Sequence, residues 1–441
     1  MGKRNAANLL QVQDYLPLSK TLAFIASWTV GNCIRFNEKR NEFEATTQKN
    51  GQLGKARRFM SQLATVLLGL QTTRLMSVLK ATGFIQNIPS VLLYVGFSAS
   101  YRMGLASYKH AGEIAQFLNT LVQYEKRSDG QQQSNKPPEQ SSGKLKTDNV
   151  SHRKKIHISI NKALLRSLLD DFRYGRMVRP VLIAGVFTQT VMPSFTVILL
   201  LSKPCVANLF LRSALQDCPA RGWIPQLEAS FWAKLVTSLS DSFVHAYTFG
   251  QAVIAIGIVF FASVEILRDH MTKLIHVTSE IKNGQNSVNA HTLQWLMRYK
   301  QVQLLARLYN NIASGELIVI IMFDMLAFGI LSIYSVVVLH ASLSTEILIT
   351  VCITAFDTTI MAQMMMYQTA GDVNHMAKKL KLYWTQSHEI QKGKYLRRMV
   401  KSCNEVKLMV GNSGNYMERT TPLIVTQMTM EQAVSLILMK G

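Results

Sequence analysis

The stretch from Ile312 to Leu339 is apolar over a bilayer's width, broken only by Glu316 and Asp324 among its charged residues; Leu343 to Met366 is nearly as long, and Gln251 to Val264 is a shorter run of the same kind. A helix needs about 20 predominantly apolar residues to cross a hydrocarbon core of roughly 30 Å. Such a stretch satisfies its backbone groups in lipid by folding as a helix, so a chain that repeats it reads as an all-α polytopic membrane protein. The bulk value of 48% hydrophobic residues over 441 positions would suit a soluble protein; the uneven distribution decides the class.

Seven spans are expected. They run Phe59 to Ala81, Ser90 to Ala111, Pro180 to Leu201 with a kink at Pro193, and Ala229 through the strongly apolar Val253 to Val264. Ile312 to Leu339, Ile347 to Ala370 and Thr421 to Met439 complete the set. Helices continue beyond the membrane after Val264 to about Lys282, before Ile312 from His291, and after Ala370 through Lys378, Lys379 and Lys381. The segment from His291 carries an apolar stripe of Trp295, Leu296, Tyr299, Val302, Leu305 and Leu308. Residues 128–152 are rich in Gln, Ser, Pro, Lys and Gly and are expected to be a disordered loop. The domain division is then a cytosolic N-terminal region 1–58, six membrane helices within 59–386, a cytosolic amphipathic helix 387–410 and a final span within 419–441.

Charge sets the orientation. The formal net charge is +22, from 48 Lys and Arg against 26 Asp and Glu. Nucleic-acid binding would gather the bases on soluble segments near exposed aromatics, whereas here they flank apolar spans. Arg57 and Arg58, Arg153 to Lys155, Arg298 and Lys300, Lys378 to Lys381, and Arg397 to Lys401 fall on one side, leaving scattered bases such as Lys80, Lys203 and Arg221 on the other. The positive-inside rule places the N-terminus in the cytosol and the C-terminus outside, in the plasma membrane. This is opposite to a G-protein-coupled receptor, and no DRY-like or NPxxY-like sequence is present. Met1 to Leu18 lacks a cleavable signal pattern. Leu16 to Phe36 reads as a re-entrant or interfacial helix, with an eighth crossing as the alternative.

No catalytic constellation, phosphate loop or metal-ligand spacing is visible, so neither an enzyme nor a cofactor is expected; His270 and His276 are six apart and poorly aligned on a helix. Cys205 and Cys218 share a predicted outside loop and could form a disulfide there. Asp324 and Asp357 lie mid-span, where an ionisable group marks a functional position or an interhelical hydrogen bond. A mostly apolar pocket with a few polar groups is expected from Gln189, Thr190, Ser242, Phe243, Tyr247, Tyr334 and Phe356 together with these two acids. In the last span Gln427, Glu431 and Gln432 make a poor lipid-facing helix. Ile424, Gln427, Met428, Glu431 and Ser435 share one face, suited to a narrow aqueous path or to hydrogen bonds with neighbouring helices. Basic faces at Arg153 to Lys155 and Lys378 to Lys381 suit anionic membrane lipid. A secondary transporter would need paired broken helices related by a repeat, and none is found.

The C-terminal pattern resembles the arthropod chemoreceptor superfamily of gustatory and odorant receptors. It consists of Arg397 to Val400, Val406 to Leu408, a break at Gly411 to Asn415, Thr420 to Leu423 and a helix to Gly441. The Ala115 to Tyr124 segment, the N-inside order of spans and the long helix extensions are similar too. The Thr-Tyr…Gln-Phe signature of gustatory receptors is absent from the last span, and a divergent gustatory-like receptor is favoured over an odorant-type one. The resemblance implies a ligand-gated cation channel, homotetrameric or heterotetrameric with a related subunit. It implies that tastants or odorants bind among the membrane helices and that the last span lines a central pore. By position from the C-terminus, the gate would fall at Ile424 and Met428, with Gln427 and Glu431 beside it.

Overall fold

The structure is a computed structural model whose described residues are 34–37, 42–45, 88–134, 254–282, 288–341, 366–411 and 414–439, with short helical pieces within 59–80, 230–252 and 348–352 and the single positions 40, 183 and 197. A two-stranded antiparallel hairpin, β1 (Ile34–Asn37) and β2 (Glu42–Ala45), comes first, in the register Ile34 to Ala45 and Phe36 to Phe43. Helix α1 (Ile88–Lys109) meets α2 (Ala111–Ser134) at His110, where the helical ladder is carried across by Ile114 donating to the His110 carbonyl at 2.9 Å. The hairpin is fixed to α2 by one side chain. Asn119 accepts from the Phe43 N–H at 2.7 Å and donates to the Phe43 carbonyl at 2.8 Å, while the Phe43 ring meets Phe36 edge-on at 5.0 Å.

A π-helical segment, Ile254–Ala262, runs directly into α3 (Ser263–Lys282). Its sequence, IAIGIVFFA, is apolar on every side, and Ala255, Ile258, Val259, Phe260, Phe261 and Ala262 are all buried. At the junction the Ser263 hydroxyl donates to the Ile258 carbonyl, five residues back, at 3.3 Å, which matches the wider register. Helix α4 (Val288–Ala313) and α5 (Leu317–Val338) are separated by a turn at 314–316. Then come α6 (Met366–Gln386), α7 (His388–Lys392) and α8 (Lys394–Ser402). A second hairpin, β3 (Met409–Val410) with β4 (Asn415–Tyr416), leads to α9 (Thr421–Leu438). Gly411 and Gly414 have φ of 66° and 80°, a backbone region that favours glycine, and this is what lets the second hairpin turn so tightly.

One apolar core joins most of these elements. Helix α4 buries Leu296, Tyr299, Val302 and Leu305 of the expected stripe, with Tyr309 and Ile312 besides, while Trp295 and Leu308 are only part-buried; α6 buries Tyr367, Ala370, Val373, Ala377, Leu380 and Trp384. The broadest contacts are α1 on α5, α6 on α3, and α5 on α9. A second cluster gathers Tyr334, Leu339 and Val351 with Phe328, Leu331, Leu436 and Ile437, so it ties the far ends of α5 and α9 together. Among the described residues, α5 is the helix long and apolar enough to cross a membrane.

Several boundaries differ from expectation. Ile34 to Phe36, the expected end of an interfacial helix, form a strand instead; their alternation with Arg35 and Asn37 has the period of two that a half-buried strand needs. Helix α2 continues to Ser134, into the stretch expected to be disordered, because extending a helix costs far less than starting one. The amphipathic helix expected over 387–410 is broken at Gly393, whose backbone is extended at φ −81° and ψ 108°, and it ends at Ser402. From Cys403 the chain is extended, because its backbone bonds go to side chains of α4. The remainder of Leu16 to Phe36 and the third span lie outside the described residues, apart from two single positions in the latter.

Candidate functional site

Helix α9 has two unlike sides. Pro422, Val425, Thr429 and Ala433 are buried against the bundle, and the Thr429 hydroxyl donates to the Val425 carbonyl at 2.8 Å. This spacing of three and four residues makes one narrow stripe. Opposite it, Ile424 is 54% exposed and Met428 48%, with Gln427, Glu431 and Ser435 also exposed. Gln427 Nε2 donates to Glu431 Oε1 at 2.8 Å, so the amide steadies the carboxylate along the helix. Leu423, Met430 and Val434 form a third, exposed apolar flank. Ile424, Gln427, Met428, Glu431 and Ser435 thus lie together on one face of α9, exposed among the described residues.

The foot of α9 is fixed by contacts the sequence does not announce, although Tyr299 and Lys378 stand out in it for other roles. The Tyr299 hydroxyl donates to the Asn404 carbonyl at 2.8 Å, and Gln303 donates to the same carbonyl. Asn310 donates to the Lys407 carbonyl at 2.8 Å and accepts from the Met409 N–H at 3.0 Å, holding the extended strand along α4. The Tyr416 ring lies 4.2 Å from Lys407 Nζ and 5.6 Å from Lys378 Nζ, both within cation–π range. Lys378 also reaches Glu418 at 3.3 Å, and Arg419 Nε meets Asp372 Oδ1 at 2.7 Å. The Glu418 contact draws the Lys378 ammonium above the usual range, while hydrogen bonding to Tyr416 and Lys378 holds the Glu418 carboxyl below its own. Gly371 of α6, against which the 418–419 peptide lies, carries a legible signal, since an isolated glycine kept inside a helical pattern costs stability and points to a packing reason. The rest depend on contacts between residues far apart in the chain.

The ligand candidates fall into separate groups. Ser242 and Tyr247 are buried, and Phe243, 37% exposed, stacks on Tyr247 at 6.5 Å. Asp324 is buried in α5 within electrostatic reach of Arg102 on α1, and its Oδ2 has no hydrogen-bond partner among the described residues. Tyr334 lies in the second cluster beside Leu436 and Ile437. Gln189, Thr190, Phe356, Asp357, Cys205 and Cys218 lie outside the described residues.

No family model matches the sequence, and no curated relative matches it. The fold has a clear likeness among solved structures. The chain is mostly helical and aligns over nearly its whole length with an insect olfactory receptor. The structure of OR5 from Machilis hrabei matches over 96% of this chain and 99% of that one, with a TM-score of 0.57 at 10% identity. The same receptor in complex with eugenol matches over 97% and 100%, with a TM-score of 0.60 and again 10% identity.

Proposed function

We propose that the chain is a subunit of a chemosensory receptor that is itself a ligand-gated, non-selective cation channel of the plasma membrane. The observation that carries this reading is the outer face of α9, where exposed Ile424 and Met428 sit beside Gln427 and Glu431. A helix presenting that face to lipid would pay for Glu431 and Gln427, and one presenting it to a central aqueous path would not. Around such a path, rings of Ile424 and Met428 close by dewetting, and Glu431 favours cations. The fold shared with an insect olfactory receptor, one structure of which holds eugenol, supports a small-molecule tastant or odorant as the opener. Seven crossings with the N-terminus inside, a homotetramer or a heterotetramer with a related subunit, and a gustatory-like branch complete the reading.

Opening then follows from differential affinity. Moving a closed-to-open ratio from 1:99 to 99:1 takes about 10⁴-fold tighter binding to the open state, or about tenfold per site if four sites contribute. Ser242, Phe243, Tyr247, Asp324 and Tyr334, with Gln189, Thr190, Phe356 and Asp357, are the candidate contacts. The test is whole-cell recording from cells expressing the chain, with a tastant and odorant panel that includes eugenol, comparing wild type with Met428→Ala and Glu431→Gln. Met428→Ala is expected to raise ligand-free current, and Glu431→Gln to lower the preference for cations. Evoked current that ignores both substitutions at equal surface expression removes α9 from the conduction path.

A further inference from the structure

The foot of α9 is held by one short length of α6. A Cβ placed on Gly371 would lie 2.5 Å from the Glu418 carbonyl carbon and 2.6 Å from the Arg419 nitrogen, so the 418–419 peptide rests directly on the α6 backbone. One residue on, Asp372 takes the Arg419 guanidinium at 2.7 Å. Further along α6, Lys378 reaches both Glu418 and the Tyr416 ring. The turn continues into α9 without slack: the Glu418 N–H donates to the Thr421 hydroxyl at 2.8 Å, and the Thr421 N–H donates to the Glu418 carbonyl at 3.0 Å.

As a source of stability these ion pairs are weak. Arg419 is 55% exposed and Lys378 and Glu418 nearly half exposed, and such pairs contribute little to folding. Their placement is informative instead. Four separate contacts bind residues 416–419 to residues 371–378, immediately before the helix whose far face stands uncovered. Helix α6 is also packed on α3, where the Thr272 hydroxyl reaches the Met376 sulfur at 3.6 Å, and it buries Ala370, Val373 and Ala377. A displacement of the start of α9 therefore either carries α6 with it or breaks the Asp372–Arg419 pair and lifts the peptide off Gly371.

We propose that this contact is the coupling through which movement of α6 sets the position of α9, with Gly371, Asp372 and Arg419 as positioning residues of the open–closed equilibrium. The inference rests on the reading of α9 as the pore helix. It is tested on the full-length chain with Asp372→Arg, Arg419→Asp and the combined swap, using two readouts. One is ligand-free and eugenol-evoked current at matched surface expression. The other is hydrogen exchange of the 417–421 amides in detergent, which needs no current.

Each single variant is expected to change the ratio of ligand-free to maximal current by about threefold to fivefold, the upper size set by a partly exposed pair. Each is also expected to speed exchange at 417–421, and the swap to bring both readouts back to within about twofold of wild type. Gly371→Ala, which forces the peptide away without changing charge, should act like the single variants. Exchange that changes and recovers while current ratios stay fixed overturns the coupling and leaves a structural contact. So does a swap whose effects add to those of the single variants. A wild-type chain that carries no current, with exchange behaving as expected, overturns the channel reading and the transmission role together, while the contact itself stands.

Discussion

His270 lies on α3 with its ring edge-on to Tyr124 of α2 at 4.7 Å, and its Nε2 has no hydrogen-bond partner among the described residues. Burial, reinforced by the positive charges of Lys273 and Arg298, pushes its pKa down to about 3 from the ordinary 6.5. Asp269 beside it is also buried and makes contacts of its own, but the balance around the imidazole remains unfavourable to a proton. The sign follows from linkage. Below about 6.5 the unfolded chain takes up a proton that the folded chain refuses, so the stability this site contributes is complete above that value and is lost as pH falls towards 3. At pH 5 the loss amounts to about 2 kcal/mol, from roughly 1.4 kcal/mol per unit. Thermal unfolding of the solubilised chain should therefore decline between pH 7.5 and pH 5, and His270→Leu should flatten that decline. An equal decline in the variant would assign the pH dependence to other groups.

At the scale of elements, α1 and α5 approach closely where Gly96 faces Phe328: a Cβ on Gly96 would come within 2.8 Å of the ring's ζ carbon. Gly96→Leu therefore overpacks the contact and is expected to destabilise by about 1–3 kcal/mol. Phe328→Leu, which shortens the opposing side chain, should recover more than half of that in the double variant, since residues in contact do not add. Melting curves of the three variants give the coupling directly; strict additivity would mean that the helices relax elsewhere. The same elements show what the sequence makes legible. Helix α5 is written plainly, because its apolar run matches a bilayer's width, and the outer face of α9 is written in the spacing of Ile424, Gln427, Met428 and Glu431. The π-helical segment is not, because a run apolar on every side has no periodicity from which to read its turn. The break between α4 and α5 is hard to read although Gly315 lies in it, since the apolar residues on both sides run together. The β1–β2 hairpin was masked by the longer apolar window in front of it, and its anchor on Asn119 joins residues 76 apart. The foot of α9 was hidden for the same reason: Arg419 and Asp372 are 47 residues apart, and no local pattern announces such a pair.

For the whole molecule the question is what covers α9 and at what electrostatic cost. A chain with a formal charge of +22 repels its own copies, and among the described residues Lys379, Lys392, Lys394, Arg397, Arg398 and Lys401 stand exposed on α6, α7 and α8. Helix α8 contains four of these and no acid, whereas the bases nearer α9 have partners in Glu418, Glu405 and Asp372. If identical chains assemble around α9, polar and apolar contacts hold them together against this charge. Salt then has a defined sign. Raising ionic strength from about 0.1 M to 1 M shortens the screening length from roughly 10 Å to 3 Å, which weakens repulsion between copies and leaves apolar contacts intact or stronger. The fraction of purified full-length chain found as an oligomer, counted by mass photometry in nanodiscs, is therefore expected to rise across that range. Neutralising Arg397 and Arg398 with glutamine should raise it already at low salt. An oligomer that dissociates as salt increases would mean that attraction between opposite charges holds the subunits together, and a self-assembly resisting its own charge would then be the wrong account of this chain.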